Sequence, residues 1–464
     1  MHTDAKLRKG TVLMRLLLAT VMISAMNAIM FNVVLPQIGD EFGLTLAQAS
    51  WLSSAYTLLY AFGTVTYGKL ADRFQLKSLL TFGLSLFAAG SLVGLLSQSF
   101  GIALLARCLQ AAGAAAVPAM ALIIPARYFP REKRGSAIGM TATGLALGGA
   151  LAPVVSAAVV SVASWRWLFL PSLLMLALLP LYRRFLENEP KEERSRPFDW
   201  LGGSLLAASV TLLLLGVTNR SWLYVSCGVA AVLLFIVRIR RAEHPFVQPR
   251  LFRNRAYAVG LTLAFLIAGI GVSLYFLTPI MLSDVYRLDS AWIGFAMVPA
   301  AAASSILGRK AGKLADRKGN AYLYAVGSAC LIGCFALLSV FTGISPVWIA
   351  VFLMFGNVGQ SFLQIAMSNS VSGSLPQDQT GIGMGLFSMI SFIAQGMAAG
   401  VYGIAAAQGA SANWNPLLAG PDGALYSNVY LVLAAAHVVL LTVYRLRLRK
   451  GRPSVAVPLS PARE

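Results

Sequence analysis

Apolar runs of about 20 residues, each just long enough to cross the hydrocarbon core of a bilayer as a helix, recur along this chain and alternate with short basic clusters. They lie near 12–36, 49–69, 78–98, 101–124, 136–160, 166–182, 200–218, 222–237, 257–282, 291–308, 321–342, 346–372, 381–404 and 426–444. A backbone in lipid must satisfy its own N–H and C=O groups, so an unbroken apolar run of this length folds as a helix. The expected fold class is an all-α polytopic membrane protein of about 14 transmembrane helices. A soluble core is excluded by composition: 58% of residues are hydrophobic and only 12% charged, against about 45–50% and about 25% in soluble domains.

The formal net charge of +20 would suit a nucleic-acid partner, but the positions of the bases argue for topology instead. With the N-terminus inside, 33 of the 37 Lys and Arg fall in predicted cytoplasmic segments; Arg107, Arg166, Arg220 and Arg287 are the remainder. That is the positive-inside pattern. Nucleic acid is therefore not an expected partner, and the bilayer is. Both termini are expected in the cytoplasm and the chain in a plasma or inner membrane of bacterial type. The basic loops 183–196 and 238–255 should lie on one side, so an even number of spans separates them. The stretch 200–237 fits two, which favours fourteen spans over twelve.

The four cysteines (Cys108, Cys227, Cys330, Cys334) lie in apolar runs with no His or further Cys placed to complete a metal site. They read as reduced packing residues. No metal or cofactor is expected, nor an enzyme: there is no nucleophile elbow and no phosphate-binding glycine loop. The basic N-terminus (Lys6, Arg8, Lys9, Arg15) followed by a long run without a small-residue cleavage site reads as an uncleaved first span. The segment 406–425 reads as a turn-rich external connection.

The segment Gly68-Lys-Leu-Ala-Asp72-Arg73 recurs as Gly312-Lys-Leu-Ala-Asp316-Arg317, about half a chain later and again at the cytoplasmic end of a helix hairpin. Such a repeat points to two homologous bundles. The expected organisation is an N-terminal six-helix bundle (1–186), a linker with an extra transmembrane hairpin (187–250), a C-terminal six-helix bundle (251–445) and a basic tail (446–464). The paired motifs resemble the signature of the major facilitator superfamily. Arg107-Cys-Leu-Gln110-Ala-Ala-Gly113 resembles that superfamily's helix-four motif. Asn32-Val-Val-Leu-Pro36, Trp165-Arg166-Trp167, Phe198-Asp199-Trp200 and the segment from Pro249 to Arg255 resemble the fourteen-span drug–proton antiporters. Within them, the helix-four region, the loop after it and residues 284–294 look most similar to the Gram-positive tetracycline efflux proteins. The resemblance covers essentially the whole chain. It implies a monomeric exporter of drug-like or tetracycline-like amphiphiles, coupled to protons and involved in multidrug resistance.

Each motif has a physical reading. Gly68 lets two helix ends approach, and Asp72 can stabilise a neighbouring helix N-terminus and pair with Arg73; Asp316 and Arg317 would do the same in the second half. The resemblance implies that these contacts lock the cytoplasmic side. Arg107 lies well inside a span, where a cation is costly unless paired or hydrated. It is either a proton-transfer residue, as the resemblance implies, or a structural Arg bound to carbonyls, and it faces Gln110 at i+3. Asn357, Gln360, Ser361, Gln364 and Ser368 share one helix face. That face lines a substrate cavity or bonds a partner helix. Asn27, Gln110 and Gln395 are further cavity candidates.

The chain departs from the family pattern at its acids. All 17 Asp and Glu fall in loops or near span ends. Ala28, Gly149 and Gln395 stand where the tetracycline antiporters carry membrane carboxylates, and Asn27 stands for the first-span Asp of the wider subfamily. The helix-five antiporter motif keeps Gly144, Gly148 and Pro153 but reads Ala152 for its Gly and Ser156-Ala157 for its Gly-Gly. Coupling would then run through Asp284, Asp72 or His437, whose ordinary pKa suits proton exchange. An uncoupled facilitator, or a transporter-derived sensor or scaffold, are the alternatives. Without a core carboxylate, a neutral, zwitterionic or anionic amphiphile suits the cavity better than a lipophilic cation.

Overall fold

The computed structural model describes residues 2–71, 74–129, 131–186, 199–219, 221–243, 245–247, 249–375, 380–409, 413–418 and 423–447. Among these residues it is helical throughout, with no strand. The principal helices are α1 (His2–Met30), α2 (Trp51–Leu70), α3 (Leu76–Leu95), α4 (Phe100–Ala114), α5 (Ala116–Tyr128), α6 (Arg131–Val160), α7 (Leu174–Phe185), α8 (Trp200–Thr218) and α9 (Trp222–Arg241). They continue as α10 (Arg255–Gly271), α11 (Ser273–Tyr286), α12 (Ser290–Lys318), α13 (Asn320–Phe341), α14 (Pro346–Ser372), α15 (Thr380–Gln408) and α16 (Ala424–Arg447). Helical structure occupies all fourteen expected positions. Among the described residues twelve helices are long and apolar enough to cross a membrane; α2 and the 17-residue apolar stretch Trp200–Gly216 are not among those twelve.

The helix starts follow from local chemistry. Ser99, Asp289 and Ser345 cap α4, α12 and α14 by accepting the N–H of Ile102, Trp292 and Val347, as short polar residues do at N-termini. Asn254 caps α10 through the N–H groups of Ala256 and Tyr257 and donates to the Ser374 carbonyl at 2.6 Å. That accounts for the Asn-Arg end of the segment before this helix.

Several expected single spans are interrupted. The fourth breaks at Ala115 between α4 and α5, the sixth opens with 3-10 turns at Trp165–Phe169 and Pro171–Leu173, and the ninth breaks between Gly271 and Ser273. Past α1, a 3-10 turn Phe31–Val34 leads into the short helix Leu35–Phe42. Helices α1–α7 pack on one another, as do α10–α16. Within the first group α1 and α6 lie close: a Cβ at Gly148 would stand 2.3 Å from the Met22 carbonyl oxygen, and one at Gly144 2.6 Å from that of Leu18.

The two groups meet along two seams, α2 with α15 and α6 with α12. The outer ends are taken as those joined by base-poor loops. The close approaches then lie in the outer half and at mid-depth: Gly294 against Pro153 and Ala157, Gly396 against Ser54 and Leu58, Gly403 against Ser50. Phe31–Val34 touches α11 and α12 as well. At the other ends, Gly68 and Gly308 have open space where a Cβ would point. The partners expected at Gly68, Asp72 and Arg73 among them, lie outside the described residues.

Helices α8 and α9 form the hairpin between the two groups. Its α8 packs on α15 and α2, with Leu214 against Gly400, while most of α9 is exposed. Asp199 roots it. Its carboxylate accepts from Arg238 Nε at 3.0 Å, the Gly202 N–H at 3.0 Å and the Phe246 N–H at 3.1 Å. Burial alone would raise the Asp199 pKa, but these donors more than offset it and hold the carboxyl below its ordinary value.

Candidate functional site: a buried arginine and a broken helix

Arg107 is fully buried in α4. Its Nη1 donates to Asn27 Oδ1 at 2.6 Å, to Gln110 Oε1 at 3.0 Å and to the Asn27 carbonyl at 3.3 Å; its Nε donates to the Leu52 carbonyl at 3.4 Å. The guanidinium carbon lies over two rings, 4.0 Å from the centroid of Tyr56 and 4.4 Å from that of Phe31. Both candidates Asn27 and Gln110 therefore join Arg107, and each is anchored in turn. Asn27 Nδ2 donates to Ser172 at 2.5 Å and Gln110 Nε2 to Ser91 at 2.8 Å. One polar network thus ties α1, α2, α3, α4 and the turn before α7.

Every partner in that network is neutral. Arg107 Nη2 is buried without a hydrogen-bond partner among the described residues. A buried donor left unpaired costs about 1–3 kcal/mol, and more when charged. The sequence pattern pointed to Gln110 but not to Phe31, Tyr56, Ser91 or Ser172, which arrive from other helices. An i+3 spacing is visible in a sequence; a contact between helices is not.

The second polar cluster lies in the other group, at the break between α10 and α11. A Cβ at Gly271 would fall 2.2 Å from the side-chain amide of Gln360, so the Gln360 head fills the notch that the glycine leaves. The Tyr402 hydroxyl donates to the Gly269 carbonyl at 2.9 Å, satisfying one of the carbonyls that a helix end orphans. Gln360 Oε1, Asn357 Oδ1 and Ser273 Oγ are buried without partners among the described residues. Gln364 is exposed, and Gln395, half-buried, donates to the Ser391 carbonyl at 3.3 Å. Along the expected stripe on α14, exposure rises from the buried Asn357 through Gln360 to the exposed Gln364. Discontinuous helices with free polar groups at mid-depth are a recurrent form of transporter binding site.

The other candidates stand apart from these clusters. Asp284 is exposed in the last turn of α11 and accepts a short hydrogen bond from the Tyr426 hydroxyl. His437 is fully buried in α16, and neither ring nitrogen has a partner among the described residues. Asp72 and Arg73 lie outside the described residues, as do the side-chain surroundings of Gly312 and Asp316; Arg317 is exposed at the end of α12. Gly144 and Gly148 act at the α1–α6 contact, and the Pro153 carbonyl meets Gly294 across the seam. The Trp-Arg-Trp segment has a structural role that its sequence does not announce. Arg166 pairs with Glu41 at 2.6 Å, and the Trp165 indole donates to the same carboxylate at 2.6 Å. Among the described residues no group of His, Cys, Asp or Glu is placed to hold a metal ion.

Comparison with known proteins agrees with this architecture. The chain is 29% identical over 360 residues to Multidrug resistance protein 3 of Bacillus subtilis, covering 75% of this chain and 70% of that one. It is 24% identical over 369 residues to the riboflavin transporter RibZ of Clostridioides difficile, covering 78% and 81%. Among solved structures, a bacterial homologue of the human lysosomal transporter Spinster, in an inward-facing and unoccupied conformation, superposes with a TM-score of 0.66 at 16% identity, covering 94% and 95%. The family model of the Major Facilitator Superfamily matches residues 17–399. The chain is a multi-pass membrane transporter belonging to the Major Facilitator Superfamily.

Proposed function

We propose that this transporter exports hydrophobic or amphipathic small molecules, drug-like or tetracycline-like, by rocking its two helix groups around a central site. The observation that carries this reading is the pair of buried polar clusters, one around Arg107 and one at the α10–α11 break, each held at mid-depth in its own group. The likeness to a multidrug resistance protein supports an exported amphiphile; the likeness to a riboflavin transporter keeps a polar heteroaromatic cargo in view. The working unit is a monomer with both termini in the cytoplasm, bundles at 1–186 and 251–445, and the hairpin region 187–250 between them. Tetracycline flux into inverted proteoliposomes, with and without a pH gradient, tests the proposal. Gradient-driven uptake supports a proton-coupled exporter, and absence of flux with every amphiphile offered favours a sensor or scaffold. Uphill transport of ethidium would overturn the preference for uncharged, zwitterionic or anionic cargo.

A second reading, an uncoupled facilitator, is favoured by the acids. Among the described residues every Asp and Glu lies within about a turn of a helix end. If protons drive export, Arg107, Asp284, His437 and Asp72 are the groups to test. Flux that ignores the gradient supports the facilitator.

A further inference from the structure

The charge on Arg107 is unmatched where it sits. Its partners are two carbonyls, two side-chain amides and two aromatic faces, and its Nη2 edge is buried with no partner among the described residues. The position that an internal counter-ion would take is filled by Asn27, whose amide orientation is set: its oxygen faces Arg107 at 2.6 Å and its nitrogen faces Ser172 at 2.5 Å. A guanidinium buried this way binds an anion through charge-assisted hydrogen bonds, and its flat fork suits a carboxylate.

The rings beside it give direction to the site. Tyr56, over the guanidinium, stacks on Tyr60 with centroids 6.0 Å apart and planes at 14°. Tyr60 meets Phe392 of the other helix group edge-on, at 4.8 Å and 87°. An aromatic row, two tyrosines and a phenylalanine, thus runs from the arginine to the seam between the groups, with the cation at its end.

We propose that the central site takes an aromatic or apolar amphiphile carrying an acidic group, with the acid paired to the Nη2 edge of Arg107 and the apolar body lying along Tyr56, Tyr60 and Phe392. This rests on the transporter reading above and narrows its cargo to anionic or zwitterionic molecules.

The test compares pyrenebutyrate with its methyl ester, which keep the same body and differ in charge. Binding is read by energy transfer from tryptophan to pyrene in phosphatidylcholine nanodiscs at fixed salt, with empty discs subtracted. A charge-assisted hydrogen bond corresponds to about a tenfold preference or more for the acid. Asn27→Asp places a carboxylate against Nη1 and supplies the missing counter-charge. It should cut the preference to within about threefold while leaving thermal unfolding unchanged or later. Arg107→Gln should abolish the preference as well. Equal binding of acid and ester by the unmodified protein, or a preference that survives both substitutions, would overturn the proposal. Flux of pyrenebutyrate in proteoliposomes separates the two readings. A charge preference without flux keeps the anion site and removes the transport role; flux without a preference does the reverse.

Discussion

Gly148 and Gly149 are neighbours on α6 and should respond oppositely to the same change. A Cβ added at Gly148 would stand 2.3 Å from the Met22 carbonyl oxygen, 2.8 Å from Ala25 Cβ and 3.0 Å from the Met26 nitrogen. Two of those three atoms are backbone, so no side chain can swing away. Bringing the carbonyl contact from 2.3 Å to 3.4 Å requires α1 and α6 to separate by about 1.1 Å. Overpacking of this kind costs about 1–3 kcal/mol, against which Gly→Ala in a helix interior returns up to about 1 kcal/mol. Gly148→Ala should therefore destabilise by about 1 kcal/mol net. At Gly149 the nearest atom is Ile29 Cδ1 at 3.9 Å, an ordinary contact, so Gly149→Ala should be neutral or stabilising by up to about 1 kcal/mol. Equilibrium unfolding of detergent-solubilised protein by sodium dodecyl sulfate, followed by circular dichroism, measures both. The refuting result is Gly148→Ala matching or exceeding the stability of Gly149→Ala, since the glycines would then owe nothing to the α1–α6 contact.

Three further outcomes follow from the same structure. Asp199→Asn should loosen the hairpin root and cost about 1–3 kcal/mol, because it weakens hydrogen bonds to one buried carboxylate. The Asp199 carboxyl lies below its ordinary value in the folded chain, so its contribution is present above the unfolded pKa and is lost as pH falls through the folded one. Hydrogen exchange of residues 200–241 from pH 6 down to about 3 should show protection falling in the parent and a flatter profile in Asp199→Asn; parallel profiles would count against this. Gly271→Ala should displace the Gln360 head and weaken probe binding several-fold, yet have little effect in a Gln360→Ala background, a coupling of about 0.5–3 kcal/mol by double-mutant cycle; simple additivity would show that the two side chains do not share the notch. Asp72→Asn should lower flux under either transport reading, and unchanged flux would remove the gating role from that motif.

Much of the architecture is legible because the bilayer imposes a coarse rule on composition. Apolar length and base-rich loops locate the helices, and the spacing of Gln110 from Arg107 reappears as a 3.0 Å contact. What the pattern cannot carry is any contact between helices distant in sequence. Tyr56 and Phe31 look like ordinary apolar-face residues until folding brings both rings against one guanidinium. The ninth span reads as continuous because Gly271 and Ser273 are both common in transmembrane helices. Its interruption becomes intelligible only with the Gln360 amide in the gap. Asn27 shows the opposite case. Read against the subfamily it is a missing acid, whereas in the fold it is a well-bonded amide whose neutrality leaves the arginine without a counter-charge.

The hairpin makes the molecule lopsided. Two halves related by a repeat would offer lipid two equivalent side doors, one at each seam. Here α8 lies over one of them, with Leu214 set into the surface of α15 beside α2. A hydrophobic solute dissolved in the membrane meets a shutter on that flank and bare helices α6 and α12 on the other. If the halves rock as proposed, the shutter has to travel with α15 or slip along it, which would make the passage between membrane and central site sided as well as gated.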